Sequence, residues 1–131
     1  MSSSAIVRAD GLFEIGLGLV LVAGAASGWL DGGDFPAPVG TTVIVVVGVA
    51  LIALGAVLWR LAGDSVPPQL LRNLAIGNSV TALAAIVWRI AADGFSAAGS
   101  AIVLATALGL LVLAVVQLSA ATARAGRALR R

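Results

Sequence analysis

The feature of this sequence that most constrains its fold is a series of four long apolar stretches that carry almost no charge. They cover residues 11–30, 39–59, 70–90 and 97–119, and each provides the roughly 20 apolar residues with which a helix crosses a bilayer core of about 30 Å. Of the chain, 60% is hydrophobic and only 11% is charged, whereas soluble domains contain roughly 25% charged residues. We therefore expect one all-α transmembrane domain over residues 1–131.

The connections between the stretches are short and contain turn-forming residues. Asp31-Gly32-Gly33 follows the first stretch, Pro67-Pro68 precedes the third, and Asp93-Gly94 separates the third from the fourth. Because short connections force neighbouring helices to run antiparallel, the sequence predicts an up-down four-helix bundle in the membrane. A cleaved signal peptide is the alternative for the first stretch, but Glu14 inside the apolar segment favours a retained span.

The arginines predict the orientation of the spans. Of the eight basic residues, only Arg89 falls on the side of the first and third connections. The other seven are Arg8, Arg60, Arg72, Arg124, Arg127, Arg130 and Arg131. The positive-inside rule therefore predicts that both termini lie in the cytoplasm. The alanine-, valine- and arginine-rich composition without lysine is typical of a GC-rich bacterial genome, so we expect the bacterial inner membrane.

Residues 120–131 form a short basic tail after the fourth stretch. We expect its arginines to bind anionic lipid headgroups, at about 1 kcal/mol for each basic residue near the surface. These arginines are Arg124, Arg127, Arg130 and Arg131. No nucleic acid is expected as a partner, because four arginines without aromatic neighbours are weak grounds for one.

Small residues predict where the helices pack, since they let helix backbones approach closely in lipid. Each of three stretches presents such residues at helical spacing. They are Gly24 and Gly28 in the first, Gly48 and Gly55 in the second, and Ala101, Ala105 and Gly109 in the fourth. Besides the bilayer itself, another membrane protein or a second copy of the chain is a candidate partner for such a face.

Two pairs of polar residues suggest an internal repeat. Arg8 and Glu14 each stand 64 positions before a polar residue, Arg72 and Asn78 respectively. The segment Gly40-Thr41-Thr42-Val43-Ile44 also stands 59 positions before the similar segment Gly99-Ser100-Ala101-Ile102-Val103. This spacing indicates two similar helical hairpins in the same orientation, an arrangement that often places a binding site between the halves. Chance similarity between apolar segments is the alternative explanation.

Glu14 is the leading candidate for a functional residue, because an ionisable group inside a membrane span is by default a hypothesis of function. It lies at the same predicted depth as Asn78. One interpretation is a carboxylate that binds a proton and a cationic substrate in alternation. The other is an ion pair with Arg8 or Arg72 that fixes helix register. We expect Asp10, one turn earlier, to lie in water.

The composition excludes several classes of chemistry. The chain has no cysteine and no histidine, so disulfides, thiolate metal sites, imidazole bases and haem ligation through histidine are excluded. No phosphate-binding glycine motif occurs, and no pair of acids inside one span is expected to hold a metal. We therefore expect no cofactor, no metal site and no enzymatic activity.

The segment Gly11-Leu12-Phe13-Glu14-Ile15-Gly16, within a four-span plan, superficially resembles the small multidrug resistance transporters. The resemblance implies that Glu14 exchanges protons for aromatic cations. The chain differs from that family in having no tyrosine, in the alanine ladder of its fourth stretch and in its basic tail. More broadly, it looks similar to small four-span inner-membrane proteins of unassigned role, which implies a location and no activity.

Two functions are compatible with these features. The first is a small non-enzymatic membrane protein that acts as an interaction or accessory subunit through its helix faces and arginine tail. The alternative is a small proton-coupled transporter of lipophilic cations that uses Glu14 and Asn78. The two differ in whether the carboxylate of Glu14 is needed for activity or only for packing.

Overall fold

The computed structural model describes residues 1–63 and 66–128. Within these ranges the chain is all-helical, with four α-helices and no strand: α1 (Ser3–Ser27), α2 (Thr41–Leu61), α3 (Pro68–Ala91) and α4 (Ala97–Ala128). A 3-10 turn, Gly32–Asp34, lies between α1 and α2. Three helices, α2, α3 and α4, are long and apolar enough to cross a membrane. The all-α prediction is confirmed for the described residues.

Helix α1 begins eight residues before the apolar stretch that predicts it. Ser2 caps its amino end, and the Ser2 hydroxyl accepts a hydrogen bond from the backbone N–H of Ala5 (3.1 Å). The helix ends at Gly28, whose φ of 73° is the left-handed conformation that glycine adopts readily. The N–H of Leu30 then donates back to the carbonyl of Gly24 (3.0 Å). The early start places Arg8 and Asp10 inside the helix.

Helices α1 and α2 form an antiparallel hairpin in which glycine packs on glycine. Gly11 faces Gly55, and Gly18 faces Gly48. A Cβ atom at Gly11 would lie 2.8 Å from the backbone oxygen of Gly55, and one at Gly48 would lie 2.9 Å from that of Gly18. These separations are shorter than a carbon atom tolerates, so the two backbones are in direct contact.

Helices α3 and α4 form a second hairpin, which uses alanine where the first uses glycine. Ala75 and Ala82 on α3 and Ala107 and Ala114 on α4 are all buried. These alanines follow the four contact glycines of the first hairpin at the same spacings of 64 and 59 residues that the polar and apolar segments show. The two hairpins therefore bury corresponding positions.

The hairpins meet mainly where α1 contacts α4, whereas α2 and α3 make almost no backbone contact with each other. The ring of Phe13 on α1 occupies the space that a side chain at Gly109 of α4 would need. At the end that holds both termini, called the terminus end below, an apolar cluster closes the interior. Its buried members are Ile6, Val7, Leu58, Ala62, Val66, Leu71 and Ala121. The opposite end is called the distal end.

Candidate functional site

A cavity of about 340 Å³ lies between the two hairpins and is lined by side chains from all four helices. Its walls are almost entirely aliphatic, with Leu17, Val43 and Leu51 as examples. Its polar side chains are Glu14, Thr81 and Thr106. Because Thr106 donates its hydroxyl hydrogen to its own helix, at the carbonyl of Ile102 (2.7 Å), the cavity has one ionisable group and little other polarity.

Glu14 is that ionisable group, and α1 holds it on the terminus side of the cavity. Its side chain is 7% exposed, and it has no hydrogen bond or ion pair with any residue that the structure describes. Arg8 does not reach it: the Arg8 guanidinium donates to the carbonyl of Ala62 (3.4 Å) and lies 5.4 Å from the ring centre of Trp59. Arg72 is exposed. The structure therefore shows neither of the two ion pairs that the sequence suggests for Glu14.

Asp10, Asn78 and Gln117, together called the polar cluster, lie next to Glu14 on its terminus side. The Asn78 amide nitrogen donates to Asp10 Oδ1 (3.2 Å) and to Gln117 Oε1 (3.2 Å). The Gln117 amide nitrogen donates to Asp10 Oδ2 (2.8 Å). The sequence predicts Asn78 at the depth of Glu14, but its hydrogen bonds go to Asp10, one helical turn from Glu14, and to Gln117. The polar cluster joins three helices through one carboxylate.

The expectation that Asp10 lies in water is wrong, because Asp10 is only 1% exposed. Since α1 begins at Ser3, Asp10 lies one helical turn before Glu14 on the same buried face. Gln117, whose sequence position suggested no role, is fully buried. The spacing of the sequence indicates the burial of Gln117: it follows Ala114 by three residues and precedes Ala121 by four, which places all three on one helix face, and both alanines are buried.

Three aromatic rings close the distal end of the cavity. Phe35, from the loop after α1, stacks on Trp88 of α3 with ring centres 6.3 Å apart. Phe95 packs edge-on against Trp88 at 4.8 Å, and the Arg89 guanidinium lies 5.2 Å from the centre of the Phe95 ring. Because Phe35 and Trp88 also line the cavity, they present aromatic surface to anything inside it.

A polar clamp outside the helices holds the first loop onto the start of α4. Asp34 accepts hydrogen bonds from the Ser96 hydroxyl and from the backbone N–H of Asp31 (2.8 Å). The N–H of Ser96 donates in turn to the carbonyl of Asp34 (3.1 Å). These bonds, that from Ser96 first, hold the pKa of the Asp34 carboxyl below its usual range. The clamp keeps Phe35, the next residue, over the cavity.

The small residues selected from the sequence divide into two groups. Gly48, Gly55 and Gly109 lie at helix contacts, and Gly24 packs against Trp29 and Leu30 of its own turn. Gly28 is the exposed end of α1 with open space around it, and Ala101 and Ala105 are also exposed. The second group therefore leaves a small-residue face of α4 uncovered.

The basic tail is described in part. Arg124 donates to the carbonyl of Val66 (2.7 Å), which ties α4 to the connection between α2 and α3. The side chain of Arg127 and the whole of Arg130 and Arg131 lie outside the described residues. Arg124 thus has a protein partner at the terminus end, and lipid binding by the tail stays a prediction.

Comparison with known proteins produced no match: no protein-family model matches the sequence, and no curated protein or solved structure is detectably similar to it. Function resides in sites rather than in folds. Any function for this chain therefore depends on the chemistry of the cavity and the polar cluster.

Proposed function

We propose that the chain is a small non-enzymatic integral membrane protein of the bacterial inner membrane, a four-helix bundle with both termini in the cytoplasm. Three apolar helices of sufficient length support this assignment. Helix α1 has 25 residues, which span about 37 Å at 1.5 Å per residue, more than the bilayer core requires. The positions of the arginines in the sequence, seven of eight on the side of the termini and the second connection, support its orientation.

We further propose that the cavity binds a lipophilic monovalent cation at Glu14, in exchange for a proton. The single observation that carries this proposal is a buried carboxylate without a protein partner in an apolar cavity. A buried carboxylate is costly unless a counter-charge or a proton neutralises it. The described residues supply no cation to Glu14, and the counter-charge that we propose is a bound ligand.

The shape of the cavity favours a small amphiphilic ligand. About 340 Å³ lies within the usual range of small-molecule pockets, roughly 300–1,000 Å³. The aliphatic walls suit an apolar body, the carboxylate of Glu14 attracts a cationic head, and the rings of Phe35 and Trp88 at the other end suit an aromatic group on the same ligand. One carboxylate balances one positive charge, so the ligand is a monocation. Its arrival releases the Glu14 carboxyl proton to water, and its departure restores that proton.

The open side of the cavity favours entry from the bilayer. Helices α2 and α3 make almost no backbone contact, and the exposed residues Val43 and Val47 of α2 and Thr81 of α3 line the cavity between them. This side faces lipid when the helices span a membrane. A lipophilic cation dissolved in the bilayer therefore reaches Glu14 without crossing the apolar cluster at the terminus end.

Binding of benzyltriethylammonium to the protein in nanodiscs tests the proposal. We expect wild-type protein to bind this cation by calorimetry with release of one proton per cation, and Glu14→Gln to lose binding. Asp93→Asn is the matched control, since Asp93 is an exposed acid outside the cavity, and it should bind normally. Equal binding by wild type and Glu14→Gln, or no binding by wild type, would overturn the proposal.

A second candidate function is that of an interaction or accessory subunit. The exposed Ala101 and Ala105 support it, together with a groove of about 320 Å³ between α1 and α4 that Ala105, Gly16 and Val20 help to line. Such a face admits a helix of another membrane protein or of a second copy. Native mass spectrometry distinguishes these roles: Ala105→Leu should disrupt assembly, whereas Glu14→Gln should leave it unchanged.

A further inference from the structure

We propose that Asp10 is a second proton-binding site, which holds the second hairpin against the first through Asn78 and Gln117 most strongly while its carboxylate is charged. The site is separate from the cavity, whose polar lining contains Glu14 but not Asp10. It deepens the proposed function because it adds a proton-controlled helix contact beside the ligand site. It does not depend on cation binding, since both carboxyls are present in the ligand-free protein.

The hydrogen bonds of the polar cluster match a charged Asp10. Both of its carboxylate oxygens accept from amide nitrogens, Oδ1 from Asn78 and Oδ2 from Gln117. Asn78 also donates to Gln117 Oε1. All three contacts therefore run from a donor to an acceptor, and no proton is needed on the carboxyl to satisfy them.

A proton on Asp10 weakens this arrangement. Hydrogen bonds to a charged carboxylate are stronger than those to a neutral carboxyl. If Oδ2 donates its proton to Gln117 Oε1, the Gln117 amide turns over and its nitrogen faces the Asn78 nitrogen, so two donors meet. If the Asn78 amide also turns over, two acceptors meet at Asp10 Oδ1 instead. One of the three contacts is therefore lost in either arrangement, and the remaining ones are weaker.

The amide reversals need little movement of the surrounding atoms. The oxygen and nitrogen of an Asn or Gln amide have nearly the same size, so exchanging them leaves the packing intact. The Asn78 Oδ1 atom receives no hydrogen bond from any described residue, so it is free to accept one after reversal. The cluster therefore has a distinct hydrogen-bond arrangement for each protonation state.

Among the described residues, Glu14 is the charged group beside Asp10, and the arginines contact other groups or are exposed. On α1, Glu14 lies one turn away and Arg8 points to Ala62 and Trp59. Arg72 of α3 and Arg60 of α2 are exposed. Arg124 of α4 binds the carbonyl of Val66. No described arginine neutralises Asp10.

The surroundings also define the route of the proton. Towards the terminus end, the apolar cluster that contains Val7 and Leu71 closes the interior with side chains that carry no polar atom. Towards the cavity, the neighbour of Asp10 is Glu14, whose Cβ is about 5–6 Å away at the i, i+4 spacing of a helix. Protons therefore reach Asp10 from the cavity, past Glu14.

Infrared titration of ligand-free protein in nanodiscs tests whether Asp10 binds a proton. Glu14 is the only glutamate in the chain, so carboxyl-¹³C glutamate reports on it alone, while labelled aspartate reports on Asp10 and the other aspartates. We expect a carboxylic-acid band from labelled aspartate that forms on acidification and exchanges slowly in D₂O. Asp10→Asn should remove this band and keep the Glu14 band.

Spin labels on α1 and α3 test whether the proton weakens the contact between the two hairpins. The chain has no cysteine, and Leu12 and Ile76 are 55% and 57% exposed, so both accept a label after substitution by cysteine. We expect the α1–α3 distance distribution to broaden on acidification in Leu12→Cys/Ile76→Cys. Adding Asp10→Asn, which is permanently neutral, should give the broad distribution at every pH.

Two results would overturn this inference. One is a wild-type aspartate signal that shows only freely exchanging, water-exposed carboxyls, a measurement that requires no variant to fold. The other is an α1–α3 distance that neither pH nor Asp10→Asn changes. Failure of benzyltriethylammonium to bind would count against the cavity proposal alone, because neither of these measurements contains a ligand.

Discussion

Asp10 and Glu14 lie one turn apart on the same buried face of α1, yet only Asp10 has hydrogen-bond partners. Two amide nitrogens, from Asn78 and Gln117, satisfy both oxygens of Asp10, whereas Glu14 faces an aliphatic cavity without a protein partner. Two carboxyls in adjacent turns thus have different environments. This difference assigns a structural hydrogen-bond role to Asp10 and leaves Glu14 available to a ligand.

Removing one member of the polar cluster should cost more stability than removing all three. Asn78→Leu leaves Asp10 Oδ1 and Gln117 Oε1 without a donor, and a buried unsatisfied group costs about 1–3 kcal/mol. The triple variant Asp10→Leu/Asn78→Leu/Gln117→Leu leaves no polar atom unpaired at these positions. We expect it to unfold at a higher denaturant concentration than Asn78→Leu. A triple variant that is less stable than Asn78→Leu would contradict this account.

The glycine contact between α1 and α2 should not tolerate a methyl group. Gly18→Ala would place Cβ against the backbone oxygen of Gly48 and 2.8 Å from Ile52 Cγ1. We expect a loss of about 1–3 kcal/mol in the free energy of unfolding, typical of overpacking. The matched control on the same helix is Gly16→Ala, which meets nothing within 4 Å and should be neutral or slightly stabilising. Reversible unfolding in detergent mixtures measures both.

A substitution that adds a side chain at Gly109 should reduce the stability of the protein because of the ring of Phe13. A Cβ atom at Gly109 overlaps this ring, so Gly109→Ala should weaken the contact between α1 and α4. Phe13→Leu opens the space, and the double variant should regain part of the loss. A double-mutant cycle should give a coupling energy of about 0.5–3 kcal/mol. Additive effects of the two substitutions would show that the helices separate instead.

The clamp at Asp34 should weaken in acid. Because the pKa of Asp34 is lowered in the folded protein, its contribution to stability is present above the unfolded-state pKa of about 4. That contribution is lost as the pH falls through the lower, folded-state pKa. Ser96→Ala removes the largest cause of the shift, so the pKa should move up towards its ordinary value. NMR titration of labelled aspartate tests this, with Ser100→Ala as control; an unmoved Asp34 pKa in Ser96→Ala would refute it.

The orientation of the chain can be tested by cysteine labelling, since no native cysteine interferes. Ala37 lies in the distal connection and Gly63 follows α2 at the terminus end. With both termini in the cytoplasm, a membrane-impermeant maleimide added to spheroplasts should label Ala37→Cys. Gly63→Cys should react only after the membrane is permeabilised. The reverse pattern would invert the proposed topology.

The sequence by itself determined the number and type of the elements. Apolar stretches of about 20 residues interrupted by Gly, Pro and Asp allow helices and little else, because local hydrogen bonding and hydropathy decide that choice. The helix contact at Gly48 and Gly55 follows from their spacing, which places both on one face. Glu14 can be recognised from the sequence as a candidate functional residue, because an ionisable side chain within an apolar stretch is unusual however the helices pack.

Only the tertiary structure decided which polar groups meet. Asp10 lies before the apolar stretch, so the sequence predicts that it is exposed to water. In the structure α1 already begins at Ser3, after the Ser2 cap, and Asp10 lies on its buried face. Its partners, Asn78 and Gln117, are 68 and 107 residues away in the chain. Likewise, Arg8 and Arg72 are the ion-pair partners that the sequence predicts for Glu14, but Arg8 contacts Ala62 and Trp59 and Arg72 is exposed. Spacing along one helix defines a face, whereas the partner of that face depends on how the helices pack against one another.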